Sequence, residues 1–162
     1  MNFQYHLQLL LPEHSEALFN LMEKVREELW DYFPVLCQST LSESDTYRFL
    51  KNQQSHILFG ISINNLMEGI VFYKLSEEGT NTEVSYFISS RFQNQGIVSL
   101  ALKQSITLIS EKNLNSITAN ISRDNPASIR IIEKCGFKYA GSFTSNRTGE
   151  SKEILIFIRD LK

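Results

Sequence analysis

The stretch RFQNQGIVSLAL (residues 91–102) places three side-chain amides and a glycine directly before a run of apolar residues at helical spacing. The residues before it, TEVSYFISS (82–90), alternate in the manner of a β-strand. A strand that leads straight into a helix leaves the first backbone N–H groups of the helix unpaired, and the helix dipole adds partial positive charge there. Such a helix end attracts phosphate. The competing interpretation is a polar loop that only caps the helix.

The loop itself carries groups that an anion needs. Gly96 lets the backbone approach a ligand closely, and Arg91 adds a positive charge. Neutral amide donors come from Gln93, Asn94 and Gln95. The nucleotide-binding patterns GxxxxGK[ST] and GxGxxG are both absent, which argues against nucleoside triphosphate hydrolysis and dinucleotide redox chemistry.

Periodicity along the rest of the chain predicts a mixed α/β order. Helices are predicted from apolar residues at i, i+3 and i+4, and strands from alternation and β-branched runs, with a hairpin at Asn64 and Asn65. The predicted strands are 2–10, 56–64, 68–76, 82–90, 115–123, 136–146 and 151–161, and the predicted helices are 12–30, 42–54, a helix that begins after Gly96, and 126–135.

Composition narrows the functional classes. The chain has 162 residues, 42% of them hydrophobic and 21% charged, which suits one globular domain. A formal net charge of −2 provides no overall basic field, so nucleic-acid binding is not expected. The two cysteines, Cys37 and Cys135, fit neither a disulfide framework nor a metal site, and a reducing cytoplasm is the simplest compartment. No signal peptide or membrane-spanning run is apparent.

Three motifs, TEVSYFI (82–88), QNQGIV (93–98), and NPASI with EKCGF (125–137), lie in one segment, about residues 82–143, that can be aligned with a known pattern without insertion or deletion. They resemble, in order, the AEIGYWL strand, the [RQ]-x-x-G-x-[GA] pyrophosphate loop, and the DNPxS…GF helix and strand of the GNAT superfamily of acyl-CoA-dependent N-acetyltransferases. The match is to the RimJ/RimL branch, which acetylates protein N-termini. The spacing between the three motifs makes the resemblance more specific than any one of them.

The resemblance implies a GNAT fold, with a mixed, mostly antiparallel central sheet of about six or seven strands and about four flanking helices, in one domain over residues 1–162. It also implies acetyl-CoA as cosubstrate and direct acetyl transfer without an acyl-enzyme. Backbone N–H groups of the strand around residues 87–89 are expected to polarise the thioester carbonyl, with pantetheine alongside as an extra strand. The residues expected to bind acetyl-CoA are Phe87, Ile88, Ser89, Arg91, Gln93, Asn94, Gln95, Gly96, Ile97, Val98, Ser99, Asn125 and Ser128.

Two positions depart from the superfamily pattern. Val98 stands where Gly or Ala is usual and is expected to narrow the room beside the pyrophosphate, although the RimL group tolerates a β-branched residue followed by serine there. Ile132 stands where many members carry a tyrosine that protonates the leaving thiolate. Ser128 is the natural substitute, because on its helix it shares an inward face with Ile132 and needs a hydrogen-bond partner. A serine that only caps the first turn of its own helix is the alternative. Asn125 is expected to cap the same helix and to contact the pantetheine arm.

The general base is less clearly marked. Glu83 matches the acidic residue of the branch's strand and is the first candidate, with a solvated strand carboxylate as the alternative. The segment after GF offers the branch a second acidic position, but Arg147 occupies it here, and Glu150 follows three residues later. A terminal α-amine, with a pKa near 8, is partly neutral at pH 7. A water wire is therefore the third option.

The remaining reactive side chains are interpreted as structural. His6, His14 and His56 are interpreted as surface residues. Cys135 is interpreted as a core residue and not a nucleophile, since it lies near the end of a helix, far from the dipole's positive end.

The leading hypothesis is an acetyl-CoA-dependent N-acetyltransferase that acts on the N-terminal amine of a protein, a ribosomal protein in particular. The acceptor pocket is expected from ELWDYFPVLCQST (28–40) and the turn at 146–150. A small amine such as a polyamine or aminoglycoside is the alternative acceptor; Glu27, Glu28 and Asp31 form a modest acidic cluster. A non-catalytic CoA-binding or interaction module is the alternative of another class. The resemblance is compatible with a homodimer.

Overall fold

The hairpin predicted at Asn64 and Asn65 organises the first half of the sheet. Both residues have positive φ angles, 51° and 66°, as a two-residue hairpin turn requires, and asparagine tolerates this region better than most residues. The strands on either side pair in register through the turn, Ile63 with Leu66. The computed structural model describes residues 4–52 and 54–162.

The elements follow the predicted order closely. The strands are β1 (Tyr5–Leu9), β2 (His56–Ile63), β3 (Leu66–Leu75), β4 (Asn81–Ile88), β5 (Ser116–Ser122), β6 (Lys138–Ser145) and β7 (Lys152–Asp160). The helices are α1 (Ser15–Leu29), α2 (Pro34–Ser39), α3 (Glu43–Lys51), α4 (Ile97–Ile109) and α5 (Pro126–Lys134), with short 3₁₀ turns at Pro12–His14 and Ser90–Phe92. Residues 2 and 3 of the first predicted strand and residue 53 of the second predicted helix lie outside the described residues.

The strands form one sheet of seven in the described chain, in the order β1-β2-β3-β4-β5-β7-β6. Every pairing is antiparallel except that of β4 with β5, which is parallel. The mixed, mostly antiparallel sheet expected from the sequence is therefore confirmed. Helix α2 is an addition to the predicted four, because six residues are too few to display a helical period.

Two apolar clusters pack on opposite faces of the sheet. One joins the sheet to α4 and α5, and the other joins it to α1, α2 and α3. Leu18, Met22 and Leu50 are fully buried in the second cluster, and burial of each such side chain contributes about 1.5–3 kcal/mol. The residues of β4 alternate between the clusters, so its two faces look toward different sets of helices. None of the helices described is long and apolar enough to cross a membrane.

His56 is not a surface residue, and the interpretation from the sequence is wrong for it. Its side chain is only 5% exposed at the start of β2, and its ring stacks on Phe49 of α3 with the ring centroids 4.1 Å apart. In the sequence, His56 is the first residue of an otherwise apolar run, and it was therefore interpreted as an exposed residue at the end of a strand. Burial lowers the pKa of His56, because desolvation disfavours the charged ring.

The buried His56 predicts a loss of stability in mild acid. The unfolded chain binds a proton on this ring near pH 6.5, whereas the folded chain binds it only at lower pH. The free energy of unfolding is therefore fully retained above about pH 6.5 and falls as the pH drops below that value. Thermal melts of the wild type and His56→Phe between pH 7.5 and 5 check this. The phenyl ring keeps the stack on Phe49, and we expect a flatter pH profile in this variant.

Replacement of an exposed histidine is the matched control. His6 is exposed on β1, and His6→Gln should keep the wild-type dependence of the melting temperature on pH. If His56→Phe and His6→Gln give the same acid profile as the wild type, another group causes the dependence.

Candidate active site

The candidate site begins where β4 and β5 part. The two strands pair only at Asn81–Glu83 and 116–118 in the described chain, although β4 continues to Ile88 and β5 to Ser122. Beyond Glu83, β4 remains paired with β3 on one side while its other backbone edge faces a gap. An extended ligand chain fits such an unpaired edge, because main-chain donors and acceptors are exposed along it.

Only the backbone N–H groups of β4 that point into the gap are available to a ligand. The N–H of Ser89 donates to the carbonyl oxygen of Glu68 at 2.8 Å, so the expectation that it polarises a thioester carbonyl is wrong. In an antiparallel pair successive residues point their backbone groups to opposite sides, which also turns the Phe87 amide toward β3. The amides of Ile88 and Tyr86 then face the gap. Of the three amides predicted, Ile88 is the one that fits the role.

The loop after β4 has the geometry expected of an anion site. Asn94 and Gly96 adopt positive φ angles of 59° and 77°, and Gly96 immediately precedes α4. Residues 93–96 are exposed, and no described residue other than Gly96 and its two chain neighbours has an atom within 4 Å of the position that a Cβ would take at Gly96. Gln95 Nε2 donates to the carbonyl oxygen of Arg91 at 3.0 Å, which closes the loop on itself. The site is thus an open cradle at the N-terminus of a 13-residue helix.

Arg91 is held by a partner that the sequence analysis missed. Its guanidinium donates to the carboxylate of Glu68 on β3, whose side chain is only 7% exposed, and it also lies over the ring of Phe92. The side chain of Arg91 is 61% exposed, so its free edge can still face an anion. The ion pair fixes the loop onto β3. The sequence did contain one indication that Glu68 has a partner, because it is a single acidic residue at the start of an apolar strand.

Ile97 and Val98 turn their side chains away from the loop. Both are buried in the cluster formed by α4, α5 and the sheet, whereas Ser99 is half-buried. The expectation that Val98 narrows the room beside the pyrophosphate is therefore wrong, since its isopropyl group packs in the core. What these residues can offer a ligand is the N–H groups of the first helical turn, which lack intrahelical acceptors.

Ser128 finds its hydrogen-bond partner in Tyr86 of β4. The two hydroxyl oxygens lie 2.5 Å apart, and the phenol oxygen is also 3.2 Å from the backbone carbonyl oxygen of Ser128. Burial raises the pKa of Tyr86 to about 12, so the phenol stays protonated. The serine side chain is thus bound across elements and does not merely cap its own helix. Sequence reasoning gave no role to Tyr86, although its strand position was part of the motif.

Asn125 performs the predicted capping role. Its Oδ1 accepts a hydrogen bond from the backbone N–H of Ser128 at 3.0 Å, which satisfies one of the free donors of the first turn of α5. The residue itself is exposed. Asn125 and Ser128 both lie beyond the end of β5, on the side where β4 and β5 no longer pair.

Cys135 and Ile132 belong to the core. Cys135 is 1% exposed, and burial raises the pKa of its thiol. A buried thiol with a raised pKa is a poor nucleophile, as the sequence analysis expected. Ile132 is fully buried in the same cluster.

The two candidate bases, Glu83 and Glu150, lie on different elements, and Glu83 is on the face of β4 opposite to Tyr86. Glu83 is exposed and lies opposite Lys74 of β3 in the register of the two strands. Its side chain points away from those of Val84 and Tyr86, which face α4 and α5. Glu150 is in the turn between β6 and β7 and lies 3.8 Å from the ammonium group of Lys152. Neither of these two carboxylates has a hydrogen bond that would commit it to a structural role.

The two segments predicted to form the acceptor pocket meet in space. The guanidinium of Arg147, in the turn between β6 and β7, donates to the backbone carbonyl oxygen of Asp31, in the connection between α1 and α2. Trp30 and Tyr32 flank this contact and are 43% and 63% exposed. Exposed aromatic rings beside a polar rim are typical of a binding surface.

Comparison with known proteins gives a consistent result. A family model described as "Acetyltransferase (GNAT) domain" matches residues 6–138. The Bacillus subtilis (strain 168) protein YdaF, provisionally named a ribosomal N-acetyltransferase, is 27% identical over 153 residues, with 87% of this chain and 81% of that protein covered.

Solved structures with the same fold include the following two. The ribosomal-protein-S5-alanine acetyltransferase from Vibrio fischeri has a TM-score of 0.83 at 18% identity, covering 100% of this chain and 96% of that one. RimL, a ribosomal L7/L12 α-N-protein acetyltransferase solved in complex with coenzyme A, has a TM-score of 0.78 at 19% identity, covering 96% and 93%.

Proposed function

The chain belongs to the GNAT acetyltransferase family, and we propose that it transfers the acetyl group of acetyl-CoA to the N-terminal α-amine of a protein, a ribosomal protein in particular. As a family member it is an N-acetyltransferase with acetyl-CoA as cosubstrate. The observation that carries the proposal is the arrangement around the gap between β4 and β5. The Ser128 hydroxyl lies beside Tyr86 on one face of β4. We assign the contact between Arg147 and Asp31, called the acceptor wall below, to the acceptor side.

The residues present fit acetyl-CoA. The exposed loop at 93–96 and the first turn of α4 present donors to the pyrophosphate, and the open space beside Gly96 leaves room for it. The unpaired edge of β4 accepts the pantetheine arm as an extra strand, with the Asn125 amide beside it. The Ile88 amide, which faces the gap, polarises the thioester carbonyl in this proposal.

Acetyl transfer then needs two proton-handling groups. The amine nitrogen forms a bond to the carbonyl carbon as the carbon–sulfur bond breaks, and the electron pair of that bond goes to sulfur. Ser128 donates a hydrogen bond to the thiolate that forms. Glu83, on the opposite face of β4, accepts a proton from the amine, directly or through water. Transfer is direct, because Cys135 is buried and unreactive.

The acceptor wall supports a peptide over a polyamine or an aminoglycoside. Those acceptors carry several positive charges and require clustered carboxylates. Arg147 places a positive charge on the wall instead, and Glu27 and Glu28 lie on the exposed face of α1. An extended peptide can pack on Trp30 and Tyr32 and can accept a hydrogen bond from Arg147 through its carbonyl oxygens. The activities in the names of YdaF and RimL support the same substrate class.

Incubation with acetyl-CoA and a panel of acceptors tests the proposal. The panel pairs each peptide with a copy whose N-terminus is blocked but whose lysines are free, and adds a polyamine and an aminoglycoside. Free thiol release and product mass are recorded. We expect acetylation of the unblocked peptides at the α-amine. Acetylation of the small amines alone, or of the blocked peptides at lysine, would contradict the proposed acceptor.

Glu83→Gln is expected to lower kcat about tenfold at pH 7, with a defect that shrinks as the pH rises. A terminal amine with a pKa near 8 is roughly one-tenth neutral at pH 7, so a base can gain at most about tenfold there. Near pH 9 most of the amine is neutral and the base is no longer needed. Steady-state rates on a peptide acceptor between pH 6.5 and 9 check this.

Two further variants test whether the pH-dependent loss of rate is specific to Glu83. Glu150→Gln removes the other candidate carboxylate, and Glu78→Gln removes an exposed carboxylate from the turn between β3 and β4. Both should follow the wild-type pH profile. A pH-dependent defect in Glu150→Gln instead of Glu83→Gln would move the base to the turn between β6 and β7.

A further inference from the structure

The contact between Tyr86 and Ser128 is unusual among the hydroxyl pairs of the described chain because it lies at the gap. A second such pair, Tyr73 with Ser105, has its oxygens 2.7 Å apart and is completely buried between β3 and α4. Tyr73 and Ser105 therefore satisfy each other inside the core. Tyr86 and Ser128 are only half-buried, and their contact lies where β4 has left β5 and where the thioester must pass.

A serine hydroxyl has one proton, and its direction decides whether Ser128 can assist the leaving group. Two arrangements fit the observed distances. In the first, the phenol of Tyr86 donates to the carbonyl oxygen of Ser128, and the serine hydroxyl donates to the phenol oxygen. The serine proton is then not available to a ligand. In the second, the phenol donates to the serine oxygen and the serine proton is free to point into the gap.

We propose that Tyr86 is a positioning residue of the transfer reaction, whose phenol O–H donates to Oγ of Ser128 and thereby directs the serine proton to the sulfur of the departing thiolate. The inference rests on the proposed role of Ser128. Negative charge on sulfur favours the second arrangement, because a hydrogen bond to a charged acceptor is stronger than one between neutral groups.

The geometry limits Tyr86 to this indirect role. Its hydroxyl contacts Ser128, and the ring packs against the cluster of α4 and α5. Burial keeps its proton in place by raising its pKa to about 12. Ser128 donates a hydrogen bond to the thiolate and keeps its proton, and Tyr86 keeps its own proton as well. The departing thiolate takes its proton from solvent, so both residues are unchanged after each turnover.

A double-mutant cycle with Tyr86→Phe and Ser128→Ala tests the inference. Tyr86→Phe keeps the ring and removes only the hydroxyl. We expect kcat to fall about tenfold with KM for acetyl-CoA unchanged, which a mere loss of packing would not produce. The double variant should be no slower than Ser128→Ala alone, because Tyr86 acts only through Ser128.

Tyr73→Phe is the matched control. It breaks the equivalent hydroxyl pair in the core and should lower the melting temperature while leaving kcat unchanged. Wild-type kcat in Tyr86→Phe, or losses that multiply in the double variant, would overturn the inference. Full activity of Ser128→Ala would remove the proposed serine role and this inference together, whatever the acceptor is. The cycle is run on the amine that the panel shows to be acetylated, so failure of the protein N-terminus as acceptor is a separate result.

Discussion

Gly96→Trp is expected to weaken acetyl-CoA binding at least 100-fold while the protein remains folded. Gly96 has a φ angle of 77°, and the space where its side chain would begin is open in the part of the chain described. An indole there fills the cradle at the start of α4. Each hydrogen bond to a charged group contributes about 1.5–3 kcal/mol, so the loss of two costs about 3–6 kcal/mol, or roughly 10²- to 10⁴-fold in affinity. Isothermal titration calorimetry with acetyl-CoA measures the change.

Gly79→Trp separates this effect from backbone strain. Gly79 lies in the turn between β3 and β4 and has a similar φ angle of 67°. Apart from Gly79 and its two chain neighbours, no described residue comes within 4 Å of its Cβ position. Both substitutions force a non-glycine residue into the left-handed region, which costs on the order of 1 kcal/mol. The two variants should therefore melt at similar temperatures, and only the Gly96 variant should lose acetyl-CoA binding. Wild-type affinity in a folded Gly96→Trp variant would disprove the pyrophosphate assignment.

Local patterns predicted most of the fold because each element carries its own physical signal. Alternation marked the strands, and the turn residues Asn64 and Asn65 fixed the register of the central hairpin. Helix α2 was missed because its six residues complete fewer than two turns. His56 was misplaced for a related reason: its burial depends on the stack on Phe49 of the preceding helix α3, and the alternation of β2 itself does not record that contact.

The site was predicted unevenly for the same reason. The loop at 93–96, Asn125 and Ser128 are encoded in contiguous motifs, and the structure places them around one gap. Glu68, Tyr86 and Arg147 act through contacts with residues 23, 42 and 116 positions away in sequence. Such contacts depend on how strands are ordered in the sheet, and a single sequence has no local signal for them. The orientation of the Ser89 amide also follows from pairing with β3, which the alternation of side chains does not reveal.

Ser128→Ala is expected to lower kcat about 100-fold with the dissociation constant for acetyl-CoA changed less than twofold. The hydroxyl is needed when the thiolate forms and contributes little when the neutral thioester binds, so its loss should appear in the chemical step. Removal of a group that stabilises developing charge or transfers a proton costs about 10²-fold or more. The cap of α5 survives, because Asn125 binds the backbone N–H of residue 128 and not its side chain. Single-turnover rates and calorimetric titration measure the two quantities.

Ser128→Thr provides the matched comparison, because it keeps a hydroxyl at the same backbone position beside Tyr86. We expect it to recover most of the lost rate, since a threonine at the third position of a capped helix places its oxygen near that of serine. Equal loss in the alanine and threonine variants would indicate that the shape of the residue matters and not its proton. An alanine variant with weakened acetyl-CoA binding and an unchanged rate of transfer would instead make Ser128 a contact to pantetheine, and the thiolate would have to draw its stabilisation from the first turn of α5 alone.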